Sequence, residues 1–436
     1  MRTSDLVATS CGTAVAAVCA LGLFQIERTL GGVWSVAAVL VAGLACAALA
    51  RAFGRLAAVV PSGASHLAYL ARAFGRPTGI AVAAPYFLLT LTLVGAEATV
   101  VGLVVARLTP LPVPVGAFLF LVGTWSICRA GIQVGYRAQA VATWTLLLGL
   151  AALSLEAIVA AGARGELGAR LVPPVPDVVA FVAGVGQALF LFMGFELVTA
   201  QAEVASPATV RRALGVSVGI LAVFYGIVSL GFSCLSGSPR ADGFVPQLAL
   251  AEETGGPLAL VLVALLSVLA SFTSFNGALL SLSRFVYALA SQGALPRQLA
   301  GVDPTTLVPR PAVNALLAAA IGATALVIVG EGIAVSILAA AVSASVMYAG
   351  ALLARQRRPF AESGRRVGPR LLGATLALLL AGLGAAVILD AGAARGGLVA
   401  LLALAYGLAV VAAQRATRPV RPAARPFAAP VSAHGD

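Results

Sequence analysis

The stretch 188–203, ALFLFMGFELVTAQAE, decides how the whole chain is to be read. It is apolar enough to cross a membrane, yet Gly194 and Glu196 lie well inside it. A carboxylate in hydrocarbon costs roughly 3 kcal/mol or more, so such residues face a protein interior or a cavity and find a partner there. A glycine beside the glutamate marks a natural break in a helix. A break bares N–H groups on one half and C=O groups on the other, which attract anions and cations respectively.

The composition places this stretch in lipid. The chain has 436 residues, 60% hydrophobic and 10% charged, and its mean hydropathy is +1.02. A soluble domain carries roughly 25% charged residues. This is therefore a polytopic membrane protein, with no polar stretch long enough for a separate soluble domain. A helix needs about 20 apolar residues to cross the hydrocarbon. Runs of that kind predict spans at 5–25, 33–52, 78–106, 112–128, 138–162, 178–202, 213–236, 257–284, 312–330, 333–353, 371–389 and 397–413. The runs are Ala/Leu/Gly-rich and lack the alternation of a membrane barrel, which excludes strands. The first run lacks a small-residue cleavage site after a short apolar core, so it reads as a span rather than a cleaved signal.

The net charge is +12, and every one of the 28 basic residues is arginine. They sit in short loops between apolar runs, which points to membrane topology rather than to nucleic acid. With both termini inside, 22 arginines fall on the cytoplasmic side and six outside. That asymmetry predicts a multi-pass protein of the inner (cytoplasmic) membrane with both ends in the cytoplasm. Residues 415–436 read as a basic, Pro/Ala-rich cytoplasmic tail, whose arginines suit contact with anionic membrane lipid. Two cytoplasmic loops look structured. In 60–79, Leu67, Leu70 and Phe74 recur at helical spacing beside Arg72 and Arg76, which predicts an amphipathic helix at the inner interface. In 283–311, a helix stops at Gly293 and a Pro-rich connector follows.

No sequence pattern points to catalysis. HExxH, GxSxG, the phosphate loop and GxGxxG are all absent, and the two histidines, His66 and His434, lie in a loop and the tail. The five cysteines lie in or beside apolar runs without metal spacing, so neither disulfide, metal site nor cofactor is expected. The residues left to carry chemistry are intramembrane polar groups. Glu196 and Gly194 form the candidate break, and Phe190, one turn earlier, points near it. Glu97 lies mid-span beside Gly95 and Thr99, where substrate contact, a proton site and a structural hydrogen bond all fit. Span eight offers Thr273, Ser274 and Asn276, either for close helix packing or to face a central site.

Three ordered motifs then resemble one family, the amino acid/polyamine/organocation permeases. PSGASHLAYLARAFGRPTG resembles its loop after span two. FMGFELVTAQAEVASPATVRRAL resembles its span-six motif, and SRFVYALASQGALPRQLAGVDPTTLVPRPA its loop after span eight. The resemblance covers nearly the whole chain. It implies an all-α membrane protein of twelve transmembrane helices: a 5+5 inverted-repeat fold with helices 1 and 6 broken, plus two C-terminal helices. Repeat one would span about 5–162 and repeat two about 178–353, with helices 11–12 at 371–413 completing a domain over 1–414.

The resemblance also implies a secondary transporter or exchanger for an amino acid or related amine, working by alternating access at a site between spans one, three, six and eight. Phe190 takes the position of the span-six aromatic gate. Gly194 and Glu196 take the broken segment and its glutamate. The family's span-one segment G-S-G-I-F aligns with Ala20, Leu21, Gly22, Leu23 and Phe24, where its first glycine and small polar residue are missing. Since the family's backbone N–H groups there hold the substrate carboxylate, the departure keeps two alternatives open: a non-transporting sensor or scaffold, and a permease for a carboxylate-free amine or organic cation. Some members use a span-five lysine in place of sodium. Leu146 stands near that position, and the chain has no lysine. Glu196, Glu97, a sodium ion or uncoupled exchange remain as ways of coupling.

Overall fold

The structure is a computed structural model. It describes residues 2–235, 245–291, 293, 295–330, 332–357, 360 and 395–415. In hydrocarbon each backbone polar group must be satisfied within its own segment, so the apolar runs fold as helices. The first run is interrupted: α1 (Thr3–Ala14) and α2 (Val18–Leu30) meet at a bend of 62°. There follow α3 (Gly32–Val59), α4 (Ser65–Phe74), α5 (Arg76–Leu108), α6 (Val113–Ala130), α7 (Ile132–Ala163) and the short α8 (Leu167–Leu171). The second interruption separates α9 (Val178–Leu191) from a 3-10 stretch, Phe195–Glu203. Then come α10 (Pro207–Leu235), α11 (Pro246–Ser291), α12 (Arg310–Val329), α13 (Ile333–Gln356) and α14 (Arg395–Arg415). Among the described residues nine helices are long and apolar enough to cross a membrane, and ten if the bent pair α1–α2 is one span.

These ten spans match the first ten apolar runs. The run 397–413 is helical, as α14, whose Ala405 clusters with Leu89, Leu338 and Ala339. The run 371–389 and residues 416–436 lie outside the described residues. The eighth span differs from expectation. It is preceded by a helical segment from Pro246 that turns at Gly256 (φ +66°) before Pro257 begins the span proper. The acidic Glu252 and Glu253 mask this segment in a hydropathy reading, because amphipathic helices outside the hydrocarbon need no apolar run.

The two structured loops are as their patterns suggest. α4 buries Leu67, Tyr69 and Leu70 and exposes Arg72, but its apolar face packs on protein, with Leu70 against Gly350 of α13. In the second loop Gly293 adopts φ +75° at the end of α11. Asp303 then organises the connector: its carboxylate accepts from the Thr305 and Thr306 backbone N–H groups (both 2.9 Å) and pairs with Arg310 at 2.7 Å. Hydrogen bonds from Thr305 and then Thr306 hold this carboxyl well below the usual carboxylate range.

Small residues let the central helices approach closely. Where α1 crosses α7 and α11, a side chain at Gly12 would collide with Gln139, Thr143 and Thr273. A side chain at Gly277 would meet Thr13 and Gln139. The result is a core in which the two interrupted spans lie against each other, flanked by α3, α5, α7, α10 and α11.

Candidate functional site

The span-six interruption forms where the sequence suggests. α9 ends at Leu191, and Gly194 adopts φ +104°, a left-handed conformation that suits glycine. Glycine is needed a second time for space, because a Cβ there would stand 3.0 Å from the Thr13 carbonyl oxygen. The two breaks therefore touch backbone to backbone. Ser10 strengthens the contact by donating to the Phe195 carbonyl at 2.8 Å.

Glu196 is fully buried beside this crossing. One carboxyl oxygen accepts from Tyr86 Oη on α5. The other accepts from Tyr348 Oη on α13 at 2.8 Å and from the Gly194 N–H at 3.1 Å. The side chain thus ties the broken span to two others and satisfies its own helix start. His66 of α4 stacks near Tyr86, with ring centroids 5.6 Å apart.

The span-one interruption lies elsewhere than the alignment puts it. α1 ends at Ala14 and α2 begins at Val18, so the break is Val15–Ala17. Ala20, Leu21, Gly22, Leu23 and Phe24 all sit in regular helix beyond it. Leu21 and Gly22 line a separate cavity, and Phe24 turns away to pack on Leu250 and Phe232. Small and polar residues, Gly12, Thr13 and Ala14, form the last turn of α1 just before the break. Nothing in VAAV breaks a helix by itself; the break is held by tertiary contacts.

The main such contact is Glu97 of α5. Its carboxyl accepts from the Ala17 and Val18 N–H groups, both at 3.1 Å, and from Ser271 Oγ of α11 at 2.6 Å. On the other side of the break, Tyr225 Oη donates to the Ala14 carbonyl at 2.9 Å. Glu97 is 1% exposed.

Between the two breaks lies a cavity of about 30 Å³, lined among others by Thr13, Ala14, Tyr86, Phe190, Gly194 and Ser274. A larger cavity of about 140 Å³ lies beyond it, toward the membrane face opposite the N-terminus, and reaches Gln25, Gln187 and Tyr348. Phe190 and Met193 line both and stand between them. Of the span-eight residues, Ser274 faces the small cavity. Thr273 and Asn276 instead engage α7: Gln139 Nε2 donates to the Thr273 carbonyl at 2.9 Å, and Asn276 Nδ2 donates to Gln139 Oε1 at 2.8 Å.

Gln139 and Thr143 were not legible as important residues, since single polar residues in span five carry no pattern. Thr143 Oγ1 donates to the Ala8 carbonyl at 3.0 Å. Leu146, one and two turns further on, is simply buried core. Replacing Gln139 by Leu removes its bonds to the Thr273 carbonyl and to the Asn276 amide, which keeps only the Gly135 carbonyl at 3.1 Å. A buried hydrogen bond contributes about 0.5–1.5 kcal/mol, so Gln139→Leu should lower the melting temperature measurably in a detergent thermal-shift assay. Among the described residues no group of His, Cys, Asp or Glu could hold a metal ion.

Two helices interrupted side by side among the ten described spans, with a cavity lined by their ends, define a secondary transporter of the broken-helix type. The chain belongs to the amino acid permease family, whose model matches residues 6–411. It is a transporter, not an enzyme. Its fold resembles that of MHP1, a nucleobase-cation-symport-1 family transporter seen in a closed conformation with bromovinylhydantoin bound. That match has a TM-score of 0.55 at 15% identity over 94% of this chain and 96% of the other. It also resembles a Na+-coupled sialic acid symporter in its substrate-bound outward-open state, with a TM-score of 0.58 at 13% identity over 97% and 92%. Among curated protein sequences nothing matches.

Proposed function

We propose that this permease carries an amino acid or a related amine across the cytoplasmic membrane by alternating access, with the cavity at the crossing of the two breaks as its site. The observation that carries this reading is the cavity itself: it is lined by Thr13, Ala14 and Ala16 at one break and by Phe190 and Gly194 at the other. Phe190 then acts as a movable partition toward the 140 Å³ cavity, which serves as the vestibule. The arginine distribution supports both termini in the cytoplasm, and the apolar runs at 371–389 and 397–413 support a total of twelve spans. The sensor or scaffold reading rests on a degraded span-one segment; the amino acid permease match over residues 6–411 supports transport instead.

Coupling is assigned to Glu196, because it joins a break to two other spans through two tyrosine hydroxyls that a proton transfer would rearrange. The sialic acid symporter is Na+-coupled, and sodium is the rival coupling ion here. The test is uptake into proteoliposomes under an imposed pH or sodium gradient. Wild type should respond to the pH gradient. Glu196→Gln should fold, keep part of its exchange activity and lose the pH dependence. A pH profile identical to wild type would assign Glu196 to structure.

A further inference from the structure

Both interrupted spans present a helix start, the end that attracts anions, and in both the chain fills it with its own carboxyl group. At the start of α2, a helix of 13 residues, the Ala17 and Val18 N–H groups donate to Glu97. At the start of the 3-10 stretch, the Gly194 N–H donates to Glu196. The cavity is lined from both sides of each break: by Thr13 and Ala14 in the last turn of α1 with Val18 and Cys19 in the first turn of α2, and by Phe190 in the last turn of α9 with Gly194 at the start of the 3-10 stretch. With both starts already holding the chain's own carboxyl groups, the ends of α1 and α9 set the balance of charge there. Helix C-termini carry about half a negative charge each, which favours a cation.

The rest of the lining agrees. It contains no arginine, and the chain has no lysine, so no side chain stands ready to pair with an incoming carboxylate. The other lining groups include Leu93, Val94, Leu197 and Ala278 on the apolar side and the Tyr86 and Phe190 rings. Aromatic faces favour ammonium groups. A zwitterion bound here would have to expel Glu97 from two backbone N–H groups and the Ser271 hydroxyl, and then leave its side chain buried without them. An amine without a free carboxylate meets no such competition.

We propose that the site selects a small aliphatic ammonium compound lacking a free carboxylate, with Glu97 standing permanently where a substrate carboxylate would otherwise bind. The apolar side of the lining, Leu93, Val94, Leu197 and Ala278, suits a short alkyl chain. This rests on the transport reading above and narrows its substrate class.

The experiment titrates the purified full-length protein with matched pairs: isopentylamine and L-leucine, isobutylamine and L-valine, with L-leucinamide as the amine that keeps the amino acid's shape but not its charge. Affinity is read from the ligand-dependent rise in melting temperature, and uptake of the labelled pair is measured in proteoliposomes. In wild type the amine and the amide should bind at least about tenfold more tightly than the amino acid, a difference of about 1.4 kcal/mol. Glu97→Ala frees both N–H groups and should cut that preference at least about tenfold. Glu97→Gln, which keeps one acceptor oxygen, should cut it by less, and it serves if the alanine variant does not fold. If neither variant folds, the wild-type ratio alone decides. Wild type that binds leucine as tightly as isopentylamine, or a preference unchanged in both variants, overturns the inference. If leucine is nevertheless taken up, the permease reading stands and only the substrate class falls. Binding and uptake of none of these compounds overturns both.

Discussion

Glu196→Ala should reduce uptake by about a hundredfold or more, equivalent to about 2.7 kcal/mol in a rate-limiting step, and should lower the melting temperature clearly. The reason lies in what the carboxyl group leaves behind. Tyr86 Oη, Tyr348 Oη and the Gly194 N–H all donate to it from buried positions. Without an acceptor each loses about 1–3 kcal/mol, and the span-six break loses its ties to α5 and α13 together. Proteoliposome uptake beside thermal unfolding of the same preparation separates the two effects. The contrast with Glu196→Gln is informative: an isosteric amide keeps an acceptor oxygen, so the fold should survive where the alanine variant is crippled. Equal stability of Glu196→Ala and wild type would show that the three hydrogen bonds do not hold the break.

Gly194→Val should be comparably severe, through geometry rather than polarity. The residue adopts φ +104°, where a β-branched side chain is a genuine outlier. A left-handed backbone costs an ordinary residue about 1–2 kcal/mol. The added Cβ would also press on the Thr13 carbonyl at 3.0 Å, and that atom is backbone, which has little freedom to retreat. The crossing of the two breaks must then open, and the cavity it encloses must change. We expect no measurable uptake and a lower melting temperature. Gly215→Val on α10 is the control, because a Cβ there meets nothing within 4 Å. It should stay within about 1 kcal/mol of wild type.

The two interruptions differ in how much of them the sequence disclosed, and the difference is physical. Span six breaks at a residue whose backbone conformation demands glycine, beside a buried acid that lipid would reject, so Gly194 and Glu196 stand out in any reading. Span one breaks within Val15–Ala17, a run of good helix-compatible residues. Its break is imposed by Glu97, some 80 residues away, by Tyr225 on α10 and by the close crossing at Gly12. No local pattern encodes such a contact. The glycine and phenylalanine that drew the alignment, Gly22 and Phe24, stand within regular helix beyond the break, whose own residues carry no local mark.

The same distinction runs through the rest of the molecule. Ten spans and the amphipathic α4 follow from hydropathy and spacing, because lipid enforces them segment by segment. Glu97 was visible as an anomaly, but its role was not, since a buried carboxyl group can serve substrate, proton or fold with the same sequence. The division of span eight into Ser274, which lines the cavity, and Thr273 and Asn276, which turn to Gln139, depends on which helix lies next to each face. The helical segment from Pro246 to the turn at Gly256 lacked a signal because its acidic residues hide it from a search for apolar runs.

The measurement that most directly tests the crossing of the two breaks as the transport site is uptake of labelled isopentylamine and L-leucine into proteoliposomes holding wild type, Gly194→Val or Gly215→Val. Saturable uptake by wild type and Gly215→Val, absent from Gly194→Val, is the predicted result. Uptake by Gly194→Val at the wild-type rate, or no uptake of either compound by wild type, would contradict it.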